Sequence, residues 1–279
     1  MKEVERAKEN MKTYKRVLSI AGSDSGGAAG IQADLKTISA CGCYAMTAIT
    51  AITAQNSLGV TDIHPVPLPS IEKQIRAVLD DLGADAVKIG MLHSSEVIRL
   101  VVNLLQEYGI RCIVADPVMA TASGDKLLQD EAIYTLRTEL LPIATIITPN
   151  LFEAEIITGQ TIREQEDVFR AVGQMRNTGC RSALLKAGHL NINPFYDVLY
   201  DYEEEKEYRF KTTRIDTPNT NGTGCSFASA IASFLAQGNA LEIAVKKAHA
   251  YLHQAIAEGA KYKIGKGHGS VHHFCKWWD

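Results

Sequence analysis

Residues 17–38 read VLSIAGSDSGGAAGIQADLKTI, and this stretch sets the pattern that most of the sequence repeats. Residues 17–21 form a short apolar run with β-branched character, which predicts a buried strand. The glycine-rich residues 22–27 predict a loop, and residues 31–38 then place apolar side chains at helical spacing. The stretch therefore predicts one strand, one loop and one helix.

The same alternation of strand and helix continues along the chain. Further strands are predicted at residues 46–52, 60–64, 86–89, 112–115, 145–147 and 182–185, and further helices from 69, at 94–108, 126–140, 151–158 and 168–178, behind residue 224, and at 240–259. This rhythm predicts an α/β fold with a mostly parallel sheet covered by helices on both faces.

The rhythm is expected to break once, in residues 195–213. Polar and apolar residues alternate on both sides of an acidic turn there, which predicts a small antiparallel hairpin. The chain shows no internal repeat, low-complexity tract or linker. A single domain over residues 1–279 is therefore predicted, with residues 1–15 as a flexible N-terminal extension.

Composition excludes several classes of function. The 279 residues are 46% hydrophobic and 22% charged, with a formal net charge of -3, so nothing favours nucleic acid or an anionic membrane as a partner. Neither a signal-peptide core nor 18 uninterrupted apolar residues is found. Six scattered cysteines without a C-x-x-C pair are expected to be reduced and mostly structural. A cytoplasmic globular protein is predicted.

The segment NTNGTGCS, residues 219–226, is the strongest candidate for an anion site. Gly222 and Gly224 let the backbone approach a ligand, and the apolar run behind them predicts a helix whose first N–H groups point into the loop. Cys225 lies on the first turn, where the helix dipole favours the thiolate. An ordinary helix start with a buried cysteine remains the alternative.

Two other glycine-rich segments do not fit known phosphate loops. Residues 22–27 lack the Lys-Ser/Thr of a Walker loop, and GKGHG at residues 265–269 lacks the strand and helix of a dinucleotide fingerprint. In open parallel sheets, ligands bind beyond the carboxyl ends of the strands. Polar residues follow those predicted ends at 22–27, 53–56, 88–91, 116–119, 148–150 and 186–189.

Several of these segments together resemble the hydroxymethylpyrimidine/phosphomethylpyrimidine kinases of thiamine biosynthesis, in the ribokinase-like superfamily that also holds pyridoxal kinases. The resemblance runs from Arg16 to Phe274, through residues 21–27, 30–36, 88–91, 116–119, 148–150, 219–225 and 267–269. It implies a three-layer α/β/α sandwich, a homodimer, and ATP with Mg²⁺ as donor. The implied reaction is phosphorylation of 4-amino-5-hydroxymethyl-2-methylpyrimidine and then of its monophosphate.

The resemblance places the substrate pyrimidine against Gly22, Asp24, Gln55, Met91 and Val118. Asp24 and Gln55 together offer acceptors and a donor, which suit the ring nitrogens and amine of an aminopyrimidine. Taken singly, Asp24 is also typical of a turn that closes on its own backbone. Gln55 is equally typical of a loop amide, and Met91 and Val118 of core residues.

The resemblance places the nucleotide and Mg²⁺ near an acidic cluster and a lysine. Asp116 and Glu153 are the implied metal residues, and the implied nucleotide residues are Asp116, Asn150, Lys186, Thr223 and Gly224. The implied catalytic residues are Lys186, Gly222, Gly224 and Cys225, with Cys225 accepting the hydroxyl proton. Alternatives are a strand stop at Asp116, a helix first turn at Glu153 and a solvated Lys186.

One departure from the family pattern concerns the substrate. The family commonly has His before Gly-Thr-Gly-Cys, and this chain has Asn221. Pyridoxal kinases share the fold and the cysteine, so a vitamin B6 kinase is the alternative activity. A non-catalytic vitamin-precursor-binding protein is an alternative of another class. The residues retained from the family site argue against it: Asp116, Glu153, Lys186 and Cys225.

Overall fold

The sheet forms the centre of the molecule, whose computed structural model describes residues 12–119 and 128–278. Within these residues, nine strands join in the order β3-β2-β1-β4-β5-β6-β7-β8-β9. Their bounds are β1 Arg16–Asp24, β2 Tyr44–Asn56, β3 Gly59–Pro65, β4 Ala86–Ile89, β5 Ile113–Ala115, β6 Ile146–Ile147, β7 Ser182–Leu185, β8 Phe195–Asp201 and β9 Lys206–Thr212.

The middle of the sheet is parallel and both edges are antiparallel. Strands β2, β1, β4, β5, β6 and β7 pair in parallel, whereas β3 pairs antiparallel with β2, and β8 with β7 and β9. The predicted hairpin is therefore confirmed as β8 and β9. The expectation of a single break is wrong, because the short turn between β2 and β3 makes a second antiparallel pair at the other edge.

The helices cover both faces of the sheet, as the alternation predicts. They are α1 Gly30–Ala40, α2 Leu68–Asp81, α3 Ser95–Glu107, α4 Asp130–Thr135, α5 Leu151–Thr158, α6 Gln165–Gln174, α7 Thr223–Ala236 and α8 Leu241–Gly259. A π-helical turn, Leu136–Leu140, and a 3₁₀ turn, Leu141–Ile143, continue α4, and a 3₁₀ turn, Met175–Thr178, continues α6. None of the described helices combines the length and apolar character needed to cross a bilayer.

Alternating side chains of the strands feed two hydrophobic cores. Leu18 and Ile20 of β1 belong to the core that α2, α3, α5 and α6 cover, whereas Val17 belongs to the core under α7 and α8. In β7, Leu185 likewise belongs to the first of these cores and Leu184 to the second. This division follows from the two-residue period of a strand, and it explains why these strands carry apolar residues on both faces.

A few local predictions differ from the structure. The helix α2 begins at Leu68 behind Pro67, one residue before the predicted start at 69. The helix predicted at 94–108 is α3, which Ser94 caps by accepting the N–H of Val97 at 3.3 Å. The helix predicted at residues 126–140 begins only at Asp130, and residues 126–127, like residues 1–11 of the predicted extension, lie outside the described residues.

Candidate active site

The candidate site lies at the carboxyl ends of the parallel strands, where the strand order reverses on either side of β1. Such a switch point opens a crevice between neighbouring loops. The glycine loop before α7 packs there against the loop after β1. Gly222 has φ +82°, and a Cβ on it would lie 1.7 Å from the Ala28 carbonyl oxygen. Only glycine permits this backbone conformation and this approach.

The first turn of α7 supplies free backbone N–H groups to the loop. The N–H of Ser226 makes the first helical bond, to the Gly222 carbonyl at 2.9 Å, and that of Thr223 is directed at Thr220. The N–H groups of Gly224 and Cys225 come before the first i→i−4 bond. This arrangement has the geometry that the sequence analysis predicts for an anion cradle, and anion binding itself stays a prediction.

A half-buried lysine and a buried carboxylate lie directly beneath the cradle. Lys186 Nζ is 2.8 Å from Asp116 Oδ1, which also accepts the Thr148 hydroxyl at 3.0 Å. A Cβ on Gly224 would lie 3.3 Å from Lys186 Nζ and 3.4 Å from Asp116 Oδ2. The structure therefore brings three predicted site residues, Gly224, Asp116 and Lys186, to one point.

Both members of this pair are charged. Burial opposes ionisation of Asp116, but Lys186 and Lys88 together hold its pKa below the usual value. Burial also lowers the pKa of Lys186, but Asp116 and Glu153 more than offset this effect and leave the pKa raised. The ammonium group is therefore present at neutral pH, at the edge of the cradle.

Glu153 and Asn150 form the capping box of α5. Asn150 Oδ1 accepts the Glu153 N–H at 3.0 Å, and Glu153 Oε2 accepts the Asn150 N–H at 2.8 Å. Burial raises the pKa of Glu153 to about 7, Lys186 opposes the rise, and Asp116 adds to it. The contacts of Glu153 are thus those of the helix-start alternative, and its role at a metal stays a prediction.

The carboxylate oxygen available at this point suits a magnesium ion whose other ligands are phosphates and waters. The described residues contain no group of three or more His, Cys, Asp or Glu side chains suited to a metal ion. From the described residues, Asp116 accepts the side-chain hydrogen bonds of Thr148 and Lys186 at Oδ1, while Oδ2 faces Gly224. One carboxylate oxygen beside an anion cradle is what Mg²⁺ needs when phosphates and waters complete its shell.

Cys225 differs from the expectation of a ready thiolate. Burial raises the pKa of its thiol to about 11, although the Lys88 cation and a backbone bond from Gly30 oppose the rise. Asp34 and Asp116 add to it. The cost of burying a thiolate thus outweighs the favourable helix terminus, and Cys225 rests as a neutral thiol.

A wholly buried ion pair lies under α7, and the sequence analysis does not predict it. Lys88 and Asp34 are both 0% exposed, with Lys88 Nζ 2.9 Å from the carboxylate. The Asp34 oxygens also accept the Ser19 hydroxyl at 2.6 Å and the Ser229 hydroxyl at 2.7 Å. Burial lowers the pKa of Lys88, but Asp34 more than offsets this effect, so the lysine stays charged. The available signal was a lysine inside the apolar strand β4.

On the acceptor side, Asp24 fixes the loop between β1 and α1. Its carboxylate accepts the backbone N–H groups of Gly26, Ala28 and Ala29 at 2.8, 2.9 and 2.7 Å. Asp24 therefore makes the contacts expected of a turn residue that closes on its own backbone, and it is 2% exposed. A direct contact between Asp24 and the substrate stays a prediction.

The other predicted acceptor residues surround this loop. A Cβ on Gly22 would lie 2.7 Å from the Met91 methyl group, so Gly22 makes room for Met91. Gln55 is partly exposed, and its side-chain oxygen accepts the Thr53 hydroxyl at 3.2 Å. Val118 is likewise only partly buried. These residues line the same edge of the sheet, and their contact with substrate stays a prediction.

A cavity opens beside the glycine loop. Its volume is about 270 Å³, and it is lined by Pro218, Asn219 and residues of the segment that follows α8. The Asn219 amide donates to the carbonyl oxygens of Gly259 and Tyr262 at 2.8 and 2.7 Å, which ties the glycine loop to that segment. The cavity is large enough for part of a nucleotide.

An amide cradle over a charged lysine and carboxylate, at the switch point of a parallel sheet, defines a phosphotransferase. The family model for phosphomethylpyrimidine kinase matches residues 24–272 of the chain. The chain belongs to the phosphomethylpyrimidine kinase family.

Similar proteins fall into two groups. A hydroxymethylpyrimidine/phosphomethylpyrimidine kinase of Rhizobium meliloti is 47% identical over 94% of this chain and 97% of its own length. The crystal structure of phosphomethylpyrimidine kinase from Clostridium difficile is 42% identical and superposes with a TM-score of 0.77 over 86% of this chain and 99% of that chain. An ADP complex of Bacillus subtilis pyridoxal kinase is 34% identical, with a TM-score of 0.88 over 96% of this chain and 100% of that chain.

Proposed function

We propose that the chain transfers the γ-phosphoryl group of ATP to the hydroxymethyl group of 4-amino-5-hydroxymethyl-2-methylpyrimidine, and then phosphorylates the monophosphate. The observation that carries this proposal is the position of Gly224 over the Lys186–Asp116 pair. Phosphoryl transfer needs positioning and charge stabilisation more than covalent chemistry. Free N–H groups, an ammonium group and a carboxylate that could hold Mg²⁺ provide both.

Each residue of the pair has a separate role in this proposal. Lys186 neutralises charge on the transferred phosphoryl group, and the N–H groups of Gly224 and Cys225 stabilise its oxygens. Asp116 would hold Mg²⁺, which when bound supplies positive charge to the phosphates. In its thiolate form, which the raised pKa of about 11 makes scarce at neutral pH, Cys225 accepts the hydroxyl proton in the first reaction. The second reaction starts from an anionic phosphate oxygen and depends on Cys225 less.

Pyridoxal is the second candidate acceptor, because a pyridoxal kinase is among the structures that superpose well over nearly the whole chain. A coupled assay of ADP release with the pyrimidine, its monophosphate and pyridoxal separates the candidates. The pyrimidine and its monophosphate should both support release. Release with pyridoxal alone would favour the vitamin B6 kinase. No release with any acceptor would favour the non-catalytic binding protein.

We also propose that the protein is a homodimer through the β2–β3 edge of the sheet. Ile52, Leu58 and Ile63 are 51%, 69% and 38% exposed on this hairpin, which is an unusual concentration of exposed apolar side chains. Sedimentation equilibrium should give twice the chain mass, and Ile52→Glu should shift the protein toward the monomer. The cytoplasm as its compartment stays a prediction from the sequence.

A further inference from the structure

The glycine-rich stretch GKGHG at residues 265–269 packs against the turn between β2 and β3. A Cβ on Gly265 would lie 2.2 Å from Ser57 Oγ, and one on Gly267 would lie 2.1 Å from the Ser57 carbonyl oxygen. Both distances are far shorter than a van der Waals contact. The two glycines are therefore explained by the close approach of two chain segments and not by a phosphate.

Ser57 joins the two segments by three hydrogen bonds. Its Oγ accepts the backbone N–H groups of Lys266 at 3.2 Å and Gly267 at 3.1 Å. Its carbonyl oxygen accepts the N–H of His268 at 2.9 Å. One serine thus binds three successive N–H groups. Ser57 and residues 265–268 are called the turn clamp below.

The turn clamp is connected through the chain to Gln55, one of the residues predicted to bind the acceptor. Gln55 precedes Ser57 by two positions, and its backbone is fixed by Ser25, whose Oγ donates to the Gln55 carbonyl at 2.7 Å and accepts its N–H at 2.9 Å. A Cβ on Gly26 would lie 3.0 Å from the Gln55 carbonyl oxygen. Ser57, Gln55 and the loop after β1 are therefore joined by a continuous run of chain and hydrogen bonds.

The clamp is also continuous with the nucleotide side. A Cβ on Gly269 would lie 2.1 Å from Asn219 Oδ1, and the Asn221 N–H donates to the Gly269 carbonyl at 3.0 Å. Asn221 immediately precedes the glycine loop. Gly265 and Gly267 themselves line the cavity beside that loop. The same segment thus borders the cavity and holds the glycine loop from behind.

We propose that the turn clamp couples the binding of the acceptor to the binding of the nucleotide, with Ser57 as a positioning residue between the two sites. This inference rests on the function proposed above. A ligand that orders the β2–β3 turn also orders the segment behind the glycine loop, so the second ligand has less of the protein to order. Each ligand therefore tightens the binding of the other.

The test is calorimetric titration of the whole protein with AMP-PCP and Mg²⁺, with and without saturating hydroxymethylpyrimidine. We expect the pyrimidine to tighten AMP-PCP binding about 10-fold in the wild-type chain, and less than about 2-fold in Ser57→Ala. Thr61→Ala is the matched control. Thr61 lies on the same hairpin, and its hydroxyl donates to the Ala54 carbonyl at 2.9 Å without touching residues 265–268. This control should keep the wild-type ratio.

A second variant keeps the test decisive if Ser57→Ala folds poorly. Gly267→Ala pushes the same segments apart from the other side, and the pyrimidine should then tighten AMP-PCP binding less than about 2-fold, even if the added methyl group in the cavity lining weakens AMP-PCP binding itself. A wild-type ratio in either variant, or no coupling in the wild-type chain that binds both probes, overturns the clamp. A wild-type chain that binds neither probe overturns the proposed function itself.

Discussion

Replacing Lys88 with methionine should destabilise the fold strongly. Lys88 and Asp34 are both 0% exposed and lie 2.9 Å apart, so Lys88→Met leaves the Asp34 carboxylate buried without its counter-charge. Breaking a buried pair in this way costs about 3–5 kcal/mol. With a urea dependence of about 2 kcal/mol per M, the unfolding midpoint should fall by about 1.5–2.5 M.

A double variant separates lost charge balance from lost packing. Asp34→Asn combined with Lys88→Met removes both charges, and the asparagine oxygen still accepts one of the hydroxyl groups of Ser19 and Ser229. We therefore expect the double variant to recover at least half of the lost stability. Lys206→Met breaks the exposed pair with Glu204 and should leave the midpoint unchanged.

Circular dichroism during urea unfolding measures all four proteins under one condition. A midpoint shift below about 0.5 M for Lys88→Met would refute the reasoning, because it would correspond to a loss of only about 1 kcal/mol in the free energy of unfolding. A double variant no more stable than Lys88→Met would refute it too. Poor packing of the methionine, and not the unpaired Asp34 carboxylate, would then explain the lower stability of Lys88→Met.

Three further changes test the site and its surroundings. Cys225→Ala should slow the first phosphorylation by a factor on the order of 10² to 10⁴. Because the thiol pKa is raised to about 11, wild-type kcat/KM should rise with pH between 7 and 9, and this rise should be absent in the variant. Burial raises the pKa of Asp197 to about 6. Between about pH 4 and 6 the folded state therefore keeps a proton that the unfolded chain has released, and the free energy of unfolding falls as pH rises through this range. Asp197→Asn should therefore gain up to about 3 kcal/mol over the wild type across that window in thermal melts; an unchanged difference would contradict this. Gly222→Ala should abolish ADP release, because its Cβ would overlap the Ala28 carbonyl oxygen, whereas Gly238→Ala shares the positive φ in open space and should stay active.

Helix and strand bounds were predictable where the signals are local. The sequence bounds of α5 and β7 agree with the structure because Asn150 and Glu153 cap α5, and because β7 is an apolar run between polar neighbours. The antiparallel β2–β3 pair was missed because the direction of pairing depends on how a connection turns. The π-helical turn Leu136–Leu140 has no sequence signal that separates it from an ordinary helix.

The site was predictable in its residues but not in its charges. Strand ends identified Asp116 and Lys186, and the glycine loop identified Gly224, and these three do meet. The pKa of Cys225 was predicted in the wrong direction, because a helix terminus is visible in sequence whereas the loss of water around the thiol is not. Lys88 was missed as a buried cation because sequence does not show that helices cover both faces of β4 at that point.

Charge balance beneath the glycine loop bears on what the loop can hold. Lys88 is matched by Asp34, and Lys186 is matched by Asp116. With Glu153 titrating near 7, the two ammonium groups leave no surplus positive charge for the phosphates of a nucleotide. Among the described residues beneath the loop, the remaining favourable charge comes from the N–H groups, which carry about half an elementary charge at a helix terminus. Lys263 and Lys266 line the neighbouring cavity and do not belong to the charged groups beneath the loop. Mg²⁺ bound at Asp116 would supply the charge that this point lacks, and we therefore expect ATP to bind together with Mg²⁺ and not as the free anion.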